Sequence, residues 1–457
     1  MLRKPLIIFL LLIIAVVGPV IFSGYRDLQK ATDATSYAEM ADHYQKAALR
    51  LPWRADLYEL AGHAYYQAGK YTLAATAYQK AFDKQALSAE GWVAWGDVFY
   101  LQEDRTRATE IWEQALSAPD PSVELFSRLA QIYQADQDYE RATKVLTQYA
   151  NSQPDDARAH YRLGLLLTLS NPEKALSELL TAAQQDVQLD PAVQTMRTAI
   201  NLALLETKPA SRAVLIGRGL ALLQEWEFAK ILFQQAVQSD PKHAEAMAWL
   251  EETHYHLGEP IGYGLDQAVT LAPNSAIVHG LRGLYFQRTS NFRQALTEFD
   301  AAIRLEPQNP TWQVSLGETQ SKLGDLILAL ASYQRATTLA PDDPNYWRLL
   351  ALFCAQNGIH LRDIGVPAAQ KAVVLAPKNA IMLDTLGWLL FLDSRPEDAE
   401  KQLQRALVAD PQNASAHLHL GLVYLQQNAS AAAREQLVLA RDLGDPEAAA
   451  VLTVYFP

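Results

Sequence analysis

The sequence predicts an all-α chain, a solenoid of stacked helix pairs preceded by one transmembrane helix. Three observations carry the solenoid. A phrase returns as AVQSDPKH at 236–243, AVTLAPNS at 268–275, AIRLEPQN at 302–309, ATTLAPDD at 336–343, AVVLAPKN at 372–379 and ALVADPQN at 406–413. Its prolines stand 32, 34, 34, 36 and 34 residues apart, and a period in this range signals a stacked array. Small residues keep the same beat upstream, at Gly62, Gly96, Ala130 and Gly164, each 34 apart. Finally, Ala, Leu and Gln abound and valine runs are short, which favours helix over strand.

Length and charge narrow the possibilities. A chain of 457 residues would ordinarily make two or three globular domains, but an array grows along one axis and overrides that count. The net charge is -12, and an acidic chain lacks the basic footprint of a nucleic-acid binder. Cys354 stands alone, so neither a disulfide framework nor a thiolate metal site is available.

The N-terminus reads MLRKPLIIFLLLIIAVVGPVIFSGYRDLQK. Leu6 to Phe22 is an apolar run of 17 residues, reaching 20 at Tyr25, and 20 helical residues span roughly 30 Å, the thickness of a bilayer core. The run is long for a cleaved leader and no small-x-small site follows it. An uncleaved signal-anchor over residues 1–25 is expected, with residues 6–25 in the membrane. Arg3 and Lys4 precede the run and Arg26 and Lys30 follow it, a nearly even basic tally. The short leader favours a cytoplasmic N-terminus and extracytoplasmic repeats. Residues 37–52 fit the second half of a repeat, so the anchor enters the array without a long stalk.

Full repeats follow. After Gly164 the small-residue markers continue as Gly217, Gly283, Gly317, Ala351, Gly387 and Gly421, with Glu251 in the same register. Twelve residues after most markers comes alanine, as at Ala74, Ala108, Ala142, Ala229, Ala295, Ala329, Ala399 and Ala433. Helices packed at about 8–10 Å need small side chains where their axes come closest. Large residues such as Tyr65, Phe99, Tyr133, Tyr78, Trp112, Phe233 and Phe299 fill the spaces beside them. Proline closes most units because it cannot continue a helix.

This pattern resembles the tetratricopeptide repeat. The unit at 55–88 shows it as Tyr58, Gly62, Tyr65, Ala74, Tyr78 and Ala81, and the unit at 276–309 as Gly283, Phe286, Ala295, Phe299, Ala302 and Pro307. The likeness covers roughly residues 37–446. It implies helix-turn-helix units wound into a right-handed superhelix that presents a protein-binding groove. The expected layout is an anchor at 1–25, a first block of a half repeat and about four repeats at 26–190, a degenerate helix or joint at 191–209, a second block of about seven repeats at 210–446, and a capping helix at 447–457. The joint follows from the step of 53 between Gly164 and Gly217, which is one repeat and 19 residues more. The unit at 244–273 is short and carries EPIGYGL, and the unit at 344–379 has two extra residues around HLRDIGVP.

Residues that could carry chemistry are weak candidates. In His254-x-His256 and His417-x-His419, residues two apart on a helix point to nearly opposite sides and cannot chelate together. Gly217-x-Gly219 and Gly262-x-Gly264 lack the strand and helix of a phosphate cradle. Cys354 occupies an aromatic packing position and reads as a buried thiol. Asn413-Ala-Ser and Asn428-Ala-Ser match a glycosylation acceptor that often arises by chance. Acidic pairs such as Asp342-Asp343 read as helix caps. The array uses nearly every residue from 37 onward, so no catalytic residue, metal or cofactor is expected, and no enzyme.

The groove remains. First helices line it in a stacked array, and repeat positions 2, 5, 9 and 12 fall on one face by the 3.6-residue period. Those positions hold Asp56, Glu59, His63 and Tyr66 in the first unit and Glu90, Val93, Asp97 and Tyr100 in the second. Asp384, Trp388 and Phe391 share a face near the other end. Glu59, His63, Tyr66, Asp97, Tyr100, Asp384, Trp388 and Phe391 are the candidate partner-binding residues, since aromatic anchors often dominate recognition. The expected function is a membrane-anchored scaffold binding other proteins or peptides, with a bacterial-type envelope complex as the setting implied by the resemblance. The rival is a groove-binding carrier or sensor for a glycan or small ligand.

Overall fold

The computed structural model of the chain describes residues 3–118 and 121–456, with side chains from residue 17 onward. The described chain is helical throughout and divides into two compact units, Met1–Leu205 and Glu206–Pro457. The first unit contains α1 (Arg3–Asp33), α2 (Tyr37–Arg50), α3 (Asp56–Gln67), α4 (Tyr71–Asp83), α5 (Ala89–Leu101), α6 (Arg105–Ala115), α7 (Val123–Ala135), α8 (Tyr139–Ser152), α9 (Ala157–Leu167), α10 (Pro172–Gln185) and α11 (Asp190–Leu205). The second contains α12 (Pro209–Leu222), α13 (Trp226–Ser239), α14 (Ala244–His256), α15 (Gly264–Leu271), α16 (Ala276–Arg288), α17 (Phe292–Leu305), α18 (Pro310–Lys322), α19 (Leu326–Leu339), α20 (Pro344–Asn357), α21 (Val366–Leu375), α22 (Ala380–Leu392), α23 (Pro396–Ala409), α24 (Ala414–Gln426), α25 (Ser430–Asp442) and α26 (Ala448–Tyr455).

Within each unit, successive helices pair and then stack. The small markers sit where the sequence placed the closest approach. A Cβ at Gly96 would fall 2.0 Å from Trp112 Nε1, and one at Gly62 would fall 2.6 Å from the Tyr78 ring. In both cases the aromatic lies sixteen residues on, in the second helix of the pair, and is buried. Capping starts many first helices: Ser88, Ser122, Asp156, Asn309, Asp343, Asn379 and Asn413 each accept a backbone N–H of the following turn. Such caps satisfy donors that the helix itself leaves free.

The turn within each pair has a feature that the sequence pattern does not announce. Gly69, Glu103, Gln137, Gln224, Gly258, Ser290, Gly324, Gly358, Ser394 and Asn428 all adopt positive φ, from 59° to 85°. They recur at or close to the 34-residue period, except that the α9–α10 turn, between Gln137 and Gln224, has none. Glycine fills only some of them, although left-handed backbone favours glycine.

Tyrosines tie three of the first helices to the helix before. The Tyr65 hydroxyl donates to Asp42 Oδ1 and Gln45 Oε1 at 2.7 Å each. Tyr133 donates to Glu113, and Gln404 donates to the Tyr424 hydroxyl at 3.3 Å. Gln45, Glu113 and Gln404 each precede their tyrosine by twenty residues. A second device starts several units. His160, His279 and His417 each hold a prolyl carbonyl six residues earlier through Nε2, at 3.1, 2.9 and 3.2 Å, and Trp347 donates to Pro341 O at 2.8 Å.

The irregular stretches have local causes. Residues 37–50 of that half repeat form α2, and its missing half is supplied by the C-terminal part of α1, where Ile21 and Leu28 pack with Ala47, Leu51 and Leu57. Within the expected joint at 191–209, α11 runs from Asp190 to Leu205 and packs against α10, burying Val193, Met196, Ile200 and Ala203. Glu251, in the marker register, is buried, and its carboxylate accepts the N–H groups of Gly262 and Gly264 at 2.8 and 3.1 Å. That pins the EPIGYGL loop and leaves α15 with eight residues. The two extra residues near HLRDIGVP are absorbed in a π-turn at Leu361–Gly365. At the end, Val451, Leu452 and Phe456 cover Leu418, Leu437 and Ala440.

The expected membrane span, residues 6–25, lies for most of its length outside the residues whose side chains are described. Among the described residues no helix is long and apolar enough to cross a membrane.

Candidate binding surfaces on the first helices

The candidates on α3, α5 and α7 divide into a fixed carboxylate and an open pocket. Glu59 was expected on the exposed face, but it is only 9% exposed. Its oxygens accept the Ser88 backbone N–H at 2.7 Å and the Ser88 hydroxyl at 2.5 Å, and His63 Nε2 lies 3.3 Å away. Burial alone would push the carboxyl up, yet the hydrogen bonds from His63 and Ser88 outweigh it and hold Glu59 below the ordinary carboxylate range. Glu59 therefore locks the start of the next first helix and is not offered to a partner. His63 is held as well, its Nδ1 2.9 Å from the Tyr78 hydroxyl.

Tyr66, Asp97 and Tyr100 come together. With Arg128 and Trp112 they line a cavity of about 200 Å³. Arg128 donates from Nε and Nη2 to the two oxygens of Asp97, at 2.9 and 3.2 Å, which raises the guanidinium above its ordinary value. Burial, helped by the Asp97 charge, raises the Tyr66 phenol, so Tyr66 stays a neutral hydrogen-bonding group near pH 7. Tyr100 is 45% exposed, and its ring lies 6.0 Å from Trp112.

Asp384, Trp388 and Phe391 also meet, on α22. Trp388 stacks on Phe391 with centroids 5.4 Å apart and on His419 at 4.4 Å. Asp384, expected to be exposed, is buried. It is held by His419 Nδ1 at 2.7 Å and by the Ser415 hydroxyl at 2.9 Å, so it orients the imidazole under the Trp388 ring.

Arg128 and His419 complete the two clusters, and the sequence reading did not place them there. Their signal is the repeat period itself. Arg128 follows Asp97 by 31 residues, Ser415 follows Asp384 by 31 and His419 follows it by 35, spacings that bracket one repeat and face one first helix toward the next.

Other concavities are larger. One of about 480 Å³ beside Tyr263 and Tyr285 has Arg282 between Asp266 and Glu298, at 2.7 and 2.9 Å, so its cation is matched. The histidine pairs do not converge: His417 meets Gln436 while His419 meets Asp384, and among the described residues no group of three or more His, Cys, Asp or Glu could hold a metal. Cys354 is buried, and burial pushes its thiol up to about 11.

A repeat with these pair-and-stack contacts defines a class of helical arrays, and comparison fixes which. The tetratricopeptide repeat profile matches residues 60–124, 127–192, 281–344, 320–380 and 385–447. The chain belongs to the tetratricopeptide repeat family. It is 24% identical over 191 residues to superkiller protein 3 of Schizosaccharomyces pombe, a match covering 41% of this chain and 13% of that protein. It is 22% identical over 176 residues to anaphase-promoting complex subunit 3 of the same yeast, covering 38% and 24%. The chain thus spans less than a quarter of the length of either relative. Among solved structures, it resembles a chain of the anaphase-promoting complex hetero-tetramer Cut9–Hcn1 with a TM-score of 0.48 and 14% identity, over 97% of this chain and 99% of that one.

Proposed function

We propose that this chain is a membrane-anchored scaffold without catalytic activity. It holds protein partners on the first-helix faces of its repeats, wound as a right-handed superhelix. Its setting would be assembly or maintenance of a bacterial-type envelope complex, with the N-terminus cytoplasmic and the repeats outside. The observation that carries the partner-binding reading is the α3–α5–α7 pocket. At about 200 Å³ it lies below the roughly 300–1,000 Å³ of small-molecule sites, and it suits one side chain of a peptide or protein. Tyr66 and Tyr100 line it with aromatic rings and the Arg128–Asp97 pair with polar groups, and tyrosine and arginine are among the residue types that dominate protein hot spots. One relative is named as a subunit of a complex, which agrees with a scaffold. The net charge of -12 argues against nucleic acid as partner.

In-cell photo-crosslinking tests this reading. A photoreactive residue at Tyr100, and separately at Trp388, should yield one or two recurrent protein adducts. The same residue at Glu110, exposed on a second helix, should not give them. Adducts of equal pattern from all three positions would defeat the proposal. The Trp388–Phe391 stack favours a second reading, a groove for a glycan or other small ligand. A thermal shift with oligosaccharides, lost in Trp388→Ala, would select it.

A further inference from the structure

We propose that the base of the first repeat rests in the headgroup layer of a lipid bilayer, through Phe22 and Tyr25 of α1 and Trp53 of the turn after α2. The proposal builds on the reading that residues 6–25 cross a membrane. The geometry behind it is a hairpin. Helix α2 returns along α1, so that its end comes back beside the residues where the apolar run stops. A Cβ at Gly24 would lie 2.7 Å from Leu51 Cγ and 3.1 Å from Arg50 Cβ. Arg50 pairs with Asp27, and Ile21 and Leu51 share one apolar cluster. Trp53 is thereby held level with the end of the run, although nearly thirty residues separate them in sequence.

The side chains gathered there are apolar, large and uncovered. Phe22 is 73% exposed, Tyr25 49%, Trp53 55% and Leu49 67%. Exposed apolar groups scattered singly need no explanation, but these meet at one end of one hairpin. Exposed Arg26 and Lys30 adjoin them on α1. Tyr and Trp with flanking cations are the residues that concentrate where hydrocarbon gives way to headgroups. The dimensions agree. Phe22 to Arg26 spans roughly 6 Å along a helix axis, close to the roughly 5–8 Å of one headgroup layer. A protein partner on this patch would have to displace lipid from the end of the same helix, so the bilayer is the occupant that fits. The first repeat would then be seated on the membrane by two chain segments rather than hung from one.

The test uses the full-length chain in vesicles of phosphatidylcholine and phosphatidylglycerol, with a nitroxide on a cysteine at Trp53→Cys. Cys354 is buried with its thiol pushed up to about 11, so the label goes to the introduced cysteine, and the unsubstituted chain gives the background. A second label at Tyr25→Cys leaves Trp53 in place, and one at Glu140→Cys, exposed on α8, serves as the reference in water. The expected result is a ratio of oxygen to nickel-chelate accessibility several-fold higher at 53 and 25 than at 140. A ratio at 53 equal to the reference, with a raised ratio at 25, in protein that co-floats with vesicles overturns the platform and leaves the anchor standing. Protein that does not co-float overturns the anchor, and the platform with it.

Discussion

Glu59 shows how a charged side chain on a nominally open face becomes part of the scaffold. Its carboxylate takes two hydrogen bonds from Ser88 at the start of the next first helix, so Glu59→Ala should lower the stability of the first unit by about 1–3 kcal/mol, measured by urea denaturation at pH 7. The pH dependence has a definite sign. The folded carboxyl titrates below its ordinary value of 4.5, so its stabilisation is present above that value and is lost as pH falls through the folded one. The gap between Glu59→Ala and the unsubstituted chain should therefore narrow in acid; a gap that widens would mean that Ser88 is not its main partner. The turn residues make a second case. Gln137 holds φ at 59°, where a side chain costs about 1–2 kcal/mol and glycine removes that cost against about 0.5–1 kcal/mol of unfolded-state entropy. Gln137→Gly should raise stability by up to about 1 kcal/mol, seen as a higher melting temperature.

At the scale of the helix pair, the small residue at the crossing is decisive. Trp112 presses its indole against Gly96 and donates from Nε1 to Val93 O at 3.1 Å. Gly96→Ala must displace that ring and cost about 1–3 kcal/mol of overpacking. This part of the design was open to reading, because a glycine or alanine every 34 residues with an aromatic sixteen later leaves a mark on composition and phase. The positive-φ turns left none, since backbone conformation is shared there by Gly, Glu, Gln, Ser and Asn. Glu59 and Asp384 misled for a related reason. The helical period places them on the outer face, but the next repeat covers that face at positions 29 to 35 residues on, and a wheel drawn for one helix does not contain its neighbour. Tyr66, Asp97 and Tyr100 stay on the cavity that the helical period suggests, because their neighbours Tyr71, Trp112 and Arg128 flank them without covering it. The partner half of α2 was hidden because the same residues, up to Tyr25, also read as the end of an apolar span.

For the whole molecule, coupling should fall off with distance along the array, since each repeat touches mainly its neighbours. Hydrogen exchange of Gly96→Ala should speed up in α5 to α7 and stay unchanged in residues 385–447. Faster exchange at the far end would mean that the two units unfold as one. The unbroken run of α1 from Arg3 to Asp33 bears on this scale in another way. A helix advances 1.5 Å and turns about 100° with each residue, and the first repeat is built from the last turns of α1 itself. Pro19 removes one rung of the ladder without ending the helix. The spacing between Arg3 and Gly24 therefore acts as a dial: one residue added or removed there turns the first repeat by more than a quarter of a revolution against the start of α1. Heading, as much as distance, is written into the length of that segment.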